Sequence, residues 1–422
     1  MTTFFNNTFP EGKRHCFSGS PQSAEVDQAT SALWPSRFKI SDNARSAYVK
    51  DLPHSSKLKK LQAYIGTSAL VPAKIPHSTR RASGVADPDA QALKLIDDAA
   101  LTLEVGFEMR QFLVDNFFTF LNPVLPVFDN STDIAGEALG LDRSSSASAE
   151  FRKQMVYAIS CHCVPVHASK FALLSKACRN RAQMHLPEAT ASITVETLRN
   201  VILLAILALF EPTAINFGQT LSLAGRLCLD LDILNIDHGM FRRLYMVVLC
   251  MERQVSATLD RPFFLPALDR TKSDRTKNRD KLDSIEILSF LTTFQTCWPA
   301  ASEDESTSAL LLADFKEVRN IVLHTTSPNA QLLASLRQAE FLRDPSSASH
   351  AASLISAVAD PHYFHTFMTP WWIFRALQTI AGNGQGRGAS EILSPEYHQG
   401  LRMLESDAYR WPSCRALADM LT

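Results

Sequence analysis

The sequence predicts an all-α protein, and three observations lead there. Glycine is scarce, 15 in 422 residues, which argues against turn-dense β architecture and against glycine-rich phosphate cradles. Val201 to Phe210, VILLAILALF, is apolar without a break. It is too short to span a bilayer and reads as a helix buried on every side, which requires other helices around it. After it, Leu221, Ala224, Gly225 and Cys228 fall on one face at helical spacing. The apolar fraction of 46% and charged fraction of 20% belong to a globular chain. The expected architecture is a large multi-helix bundle from residue 87 to 422, behind a poorly structured N-terminal segment, 1–86.

In chain order, residues 1 to about 55 are polar and carry Pro10, Gly12, Gly19, Pro21 and Pro35, so they read as mostly irregular. Asp87-Pro88 has the form of a helix start, a capping aspartate followed by proline at the first helical position. Leu93 to Leu121 reads as helical with a candidate break at Gly106, and Pro123 and Pro126 end it. Ala147 to Leu186 supplies one or two helices interrupted at Pro165. Thr194 to Phe210, Thr220 to Leu234 and Phe241 to Leu259 follow, the last stopped by Pro262. Residues 269 to 281 form a charged loop. Ile285 to Trp298, Ser308 to Val322, Ala330 to Phe341 and Ala351 to Ala359 read as helices. His362 to Ala381 is expected as one long aromatic helix with a kink or boundary at Pro370, and a last helix or pair runs from Pro395 to Leu421.

The centre of the chain resembles the middle homology region of fungal binuclear-zinc-cluster transcription factors. The residues that carry the likeness are the buried helix Thr194 to Phe210, the small-residue helix Gly218 to Leu229, Arg242-Arg243-Leu244-Tyr245, Glu252-Arg253 and Asp260-Arg261-Pro262. Leu113 to Asp129, LVDNFFTFLNPVLPVFD, resembles that family's opening signature, an aromatic helix meeting a proline-bounded turn. Tyr245 and Met246 stand where the family tends to have tryptophan, and Asp260 where it has glycine. The likeness covers roughly Leu93 to Leu268. It implies an all-helical regulatory body, with the Arg253 position serving the fold and not catalysis.

A binuclear zinc cluster needs six closely spaced cysteines, and before Cys161 this sequence holds only Cys16. Lys and Arg number 42 against 43 acidic residues, so the chain also lacks the overall charge of a nucleic-acid binder. Direct sequence-specific DNA binding by these residues is therefore not expected. Cys161-His162-Cys163, with His167 and Cys178, is the one cluster of potential metal ligands, but its C-x-C spacing is not that of a zinc knuckle. Buried free thiols and no metal are the expectation. The stretch DPHYFHTFMTPWWIFRALQ supplies the candidate site. If Pro361 starts a helix, His362 and His365 share a face one turn apart and can transfer protons, with Tyr363 beside them. Trp371, Trp372 and Arg375 would wall a ligand and hold an anionic or carbonyl oxygen. The plainer reading makes these aromatics core and the histidines edge residues. Glu252 and Arg253 end an apolar run and read as a structural ion pair, with Glu211, Asp230 or Asp232 as further carboxylates for the arginine.

No G-x-G-x-x-G, P-loop, G-x-S-x-G or H-E-x-x-H motif occurs, and Asp97-Asp98 lacks the third aspartate of a diphosphate-binding pattern. No cofactor is implied. Nor is there a secretory signal or membrane-length apolar stretch, which places the protein in nucleus or cytoplasm. The leading expectation is a transcription-regulator-like protein without its own zinc cluster, acting through protein partners in fungal, plausibly secondary, metabolism. The rival is an enzyme of cyclase or isomerase type, or a binding protein, for a small apolar metabolite. A cavity of about 300 Å3 or more lined by the His362–Trp371 residues would favour the rival. A filled core with exposed apolar surface would favour the regulator.

Overall fold

The computed structural model describes residues 105–129, 146–163, 168–231, 239–259, 263, 265, 282–302, 305–325, 329–384 and 394–421. All lie in one compact unit, Asp51–Thr422. The boundary expected at residue 87, the charged loop 269–281 and His167 fall outside the described residues. Those residues form thirteen α-helices and no strand, so the all-α expectation holds.

α1 (Phe107–Asn116) starts after Gly106, at the expected break. It passes into a π-helical turn, Phe117–Leu121. Asn122 then does what the two neighbouring prolines cannot. Its Oδ1 accepts from the backbone N–H groups of Val127 and Phe128 at 3.0 and 3.1 Å, and its Nδ2 donates to the Phe128 carbonyl at 3.0 Å. One buried amide thus closes the PVLPVF turn, whose prolines lack donors of their own.

α2 (Ala147–Ser160) is capped by Ser146, continues as a 3-10 turn, Cys161–Cys163, and packs on α3 (Ala168–Ala189). α4 (Val195–Phe210) is capped by Thr194, whose side chain accepts from Thr197 N–H. Its apolar run is buried on nearly every side, as predicted, by α2, α5 (Phe217–Asp230) and α6 (Gly239–Leu259). α7 (Ser284–Ala301), α8 (Glu305–His324) and α9 (Ala330–Arg343) follow, and then α10 (Ala348–Val358).

The next helix corrects the sequence reading. α11 runs Thr369–Gly384, so His362 and His365 lie on the non-helical segment before it and share no helix face. Pro370 stands in the first turn, where its missing N–H is an orphan anyway. It helps to start the helix and does not kink it. Asp360 shapes the segment ahead of it: its Oδ1 accepts from His362 N–H at 2.7 Å, and its carbonyl accepts from Tyr363 N–H at 2.9 Å. α12 (Pro395–Asp407) and α13 (Ser413–Asp419) complete the chain as a pair. α12 approaches α11 closely at Gly400, where an added Cβ would fall 2.7 Å from a methyl of the buried Leu377.

Most helices pack against their neighbours in sequence, and two apolar cores result. The first gathers residues of α1 to α7 with parts of α8 and α9, and the second gathers α9 to α13. α9 belongs to both: Leu332, Leu336 and Ala339 enter the first core, and Ala330, Ala334 and Phe341 the second. The segment 363–372 also joins them. Phe367 N–H donates to the Leu209 carbonyl at 2.9 Å, and Trp372 Nε1 donates to Thr258 Oγ1 at 3.1 Å.

Candidate functional site: a polar cavity and a buried ion network

Where the two cores meet, the structure leaves a cavity of about 40 Å3. Tyr363 and Trp372 line it, together with Gln254, Thr258, Gln295, Gln331, Ser335, Gln338, Thr366 and Thr369 among others. Gln254 and Thr258 come from α6, Gln295 from α7, and Gln331, Ser335 and Gln338 from α9 at helical spacing. The Tyr363 hydroxyl shares a hydrogen bond with Thr369 Oγ1 at 3.2 Å, and burial pushes its pKa up to about 12. It is a neutral phenol at physiological pH. Among the described residues the lining therefore carries no charged side chain. Ligand pockets for drug-sized molecules start at about 300 Å3, so this space is of another order.

The candidate residues from DPHYFHTFMTPWWIFRALQ separate in space. Only Tyr363 and Trp372 reach the cavity. His362 is exposed and stacks on Phe120 at 5.6 Å. Trp371 stacks on Phe374, and the Arg375 guanidinium sits 5.9 Å above the Phe341 ring. His365 is half-buried, with Nδ1 2.7 Å from Asp407 Oδ2 and Nε2 3.2 Å from the Val358 carbonyl. A ring N–H on either side has an oxygen to meet. It ties α12 to the end of α10.

Glu252 and Arg253 are buried as expected, at 4% and 2% exposure, but among the described residues they do not pair with each other. Both grip Leu265. Arg253 Nη2 donates to its carbonyl at 2.9 Å, and the Glu252 carboxylate accepts from its N–H at 3.1 and 3.2 Å. Arg253 also lies 3.4 Å over the Phe263 ring. A carbonyl and a π face take the place of the carboxylate that the sequence reading assigned to it. Glu211 serves other groups, Asp230 pairs with Arg226, and Asp232 is outside the described residues.

Glu211 anchors a largely buried network of side chains. Arg179 from α3 donates to its Oε2. His162 Nε2 and Ser175 Oγ lie 2.9 and 2.8 Å from its Oε1. On the other side of the ring, Arg410 Nη2 lies 2.8 Å from His162 Nδ1. A guanidinium only donates, so Nδ1 is the acceptor and the single ring proton sits on Nε2, facing Glu211. Burial, and then the charges of Arg410 and Arg179, hold the His162 pKa well below its ordinary value. The ring also lies flat on Phe210, 5.0 Å between centroids and 3° between planes.

Serine, histidine and glutamate are the residue types of a nucleophilic triad, but this geometry cannot act as one. In a triad the carboxylate orients the ring nitrogen opposite the serine. Here serine and carboxylate meet the same nitrogen, an arginine holds the other, and Ser175 is fully buried. Metal binding finds no free nitrogen either, because both sides of the His162 ring are taken. Cys161, Cys163 and Cys178 beside it are buried free thiols. Burial raises all three pKa values, those of Cys163 and Cys178 to about 12, so they stay protonated. Sequence reasoning expects a polar histidine among buried thiols here but misses Arg410, which is 248 residues away and has no local signature.

Comparison with protein-family models, with curated proteins and with solved structures finds no match to this chain.

Proposed function

We propose that this chain is a regulatory helical body that acts through protein partners and performs no chemistry of its own. The transcriptional setting rests on the likeness of its central helices to the regulatory region of zinc-cluster factors. The observation that carries the non-catalytic reading is the engagement of its inward-facing titratable groups. His162, Glu211, Arg179 and Arg410 bond to one another, His365 and Asp407 bond each other, and Glu252 and Arg253 hold Leu265. A general acid or base must reach a substrate proton, and these groups face protein instead. The space beside Tyr363 is too small for a metabolite, so that space gives the cyclase or isomerase reading no support. Large apolar side chains at the start of α1, Phe107, Met109 and Phe112, are 54%, 37% and 42% exposed. Such surface suits protein contact.

The test is a tethered reporter. The full chain is fused to an unrelated DNA-binding domain and placed at a promoter carrying that domain's site. The expected result is a several-fold change in transcription relative to the DNA-binding domain alone. Unchanged transcription with well-expressed, folded fusion protein would overturn the proposal.

A further inference from the structure

The polar cavity between the cores has a chemistry that identifies its occupant. Gln295 is 2% exposed and lines the cavity. Its Nε2 donates to the Ser335 carbonyl at 2.9 Å, with Gln338 Oε1 at 3.4 Å, while its Oε1 has no hydrogen-bond partner in the protein. A buried acceptor without a donor costs roughly 1–3 kcal/mol, and a guest that donates removes that cost. Among the described residues the lining bears no carboxylate to hold a cation and no basic group to hold an anion, which points to a neutral guest. Hydroxyls and amides reach it beside the apolar side chains of Val124, Leu125, Leu209, Leu288, Phe364 and Met368, and water occupies a space that offers it polar partners. A water needs roughly 10–15 Å3 of such space and two to four polar partners. We infer that this cavity is a binding site for about three water molecules, anchored in part on Gln295 Oε1 and bridging α7, α9 and the segment 363–369. The joint between the cores is then hydrated. This inference is independent of the regulatory reading.

A crystal structure of the full chain at a resolution that orders internal water tests it, alongside a crystal pressurised with xenon. The expected result is water density about 2.6–3.2 Å from Gln295 Oε1 and no xenon in the cavity. A blank cavity, or xenon within it, would overturn the proposal. Gln295→Met, nearly equal in volume but without the acceptor, is expected to lose the nearest water in the same crystal form. If that water keeps its place, the anchor assignment is wrong. Should the variant fail to fold, the wild-type crystals alone decide.

Discussion

Asn122 shows how much one side chain can decide. It is 8% exposed and satisfies three backbone groups of the turn that follows α1. Asn122→Ala leaves those groups buried without partners and is expected to cost about 2–3 kcal/mol, measured by urea denaturation. A cost below about 0.5 kcal/mol would mean the turn holds without it. His162 gives a pH prediction. Its folded pKa is depressed, so between about 6.5 and that folded value the unfolded chain takes up a proton that the folded chain refuses. The stability linked to this ring is complete above about 6.5 and is lost as pH falls, by up to about 1.4 kcal/mol per unit. The groups facing the ring are Glu211, Arg179, Arg410 and the Ser175 hydroxyl. Melting temperatures at pH 7.5 and 5.5 are therefore expected to fall further for wild type than for His162→Gln. Equal falls would show that the ring does not titrate as described.

Among the elements, the clamp on Leu265 belongs to α6. Two adjacent helical residues hold the N–H and the carbonyl of one residue beyond the helix. Glu252→Leu strands the N–H and is expected to cost about 1–3 kcal/mol. Arg253→Met should cost as well. The double variant is expected to cost less than the two single costs together, because both act on the same residue. Strict additivity in chemical denaturation would mean that the two contacts are independent. The start of α11 was legible in principle. Thr369-Pro370 is the same polar-residue-then-proline signal that suggests a helix start at Asp87-Pro88, which lie outside the described residues. The aromatic spacing through His362 masked it, and histidines placed on a helix face by periodicity are in fact on the approach to the helix.

At the scale of the molecule, the sequence made the helices of the first core readable because burial on all sides leaves an apolar record in residues such as Val201 to Phe210. α9 is legible as a helix from Ala330 to Phe341, but its double role is not, since a helix serving two cores has no single apolar stripe. The polar cavity and the Glu211 network were not legible at all. Their residues come from elements far apart in sequence, and a glutamine or arginine looks the same whether it faces solvent or the interior. Hence the sequence could offer histidines among aromatics as a rival candidate site, but not which polar groups they would meet. These groups lock the fold, with Arg410 between α12 and α13 fastened to His162 just beyond α2. A double-mutant cycle of Arg410→Met and His162→Gln, read by denaturation at pH 7.5, tests this most directly. The account predicts a coupling energy of about 1–3 kcal/mol between the two positions. Additivity to within about 0.5 kcal/mol would contradict it.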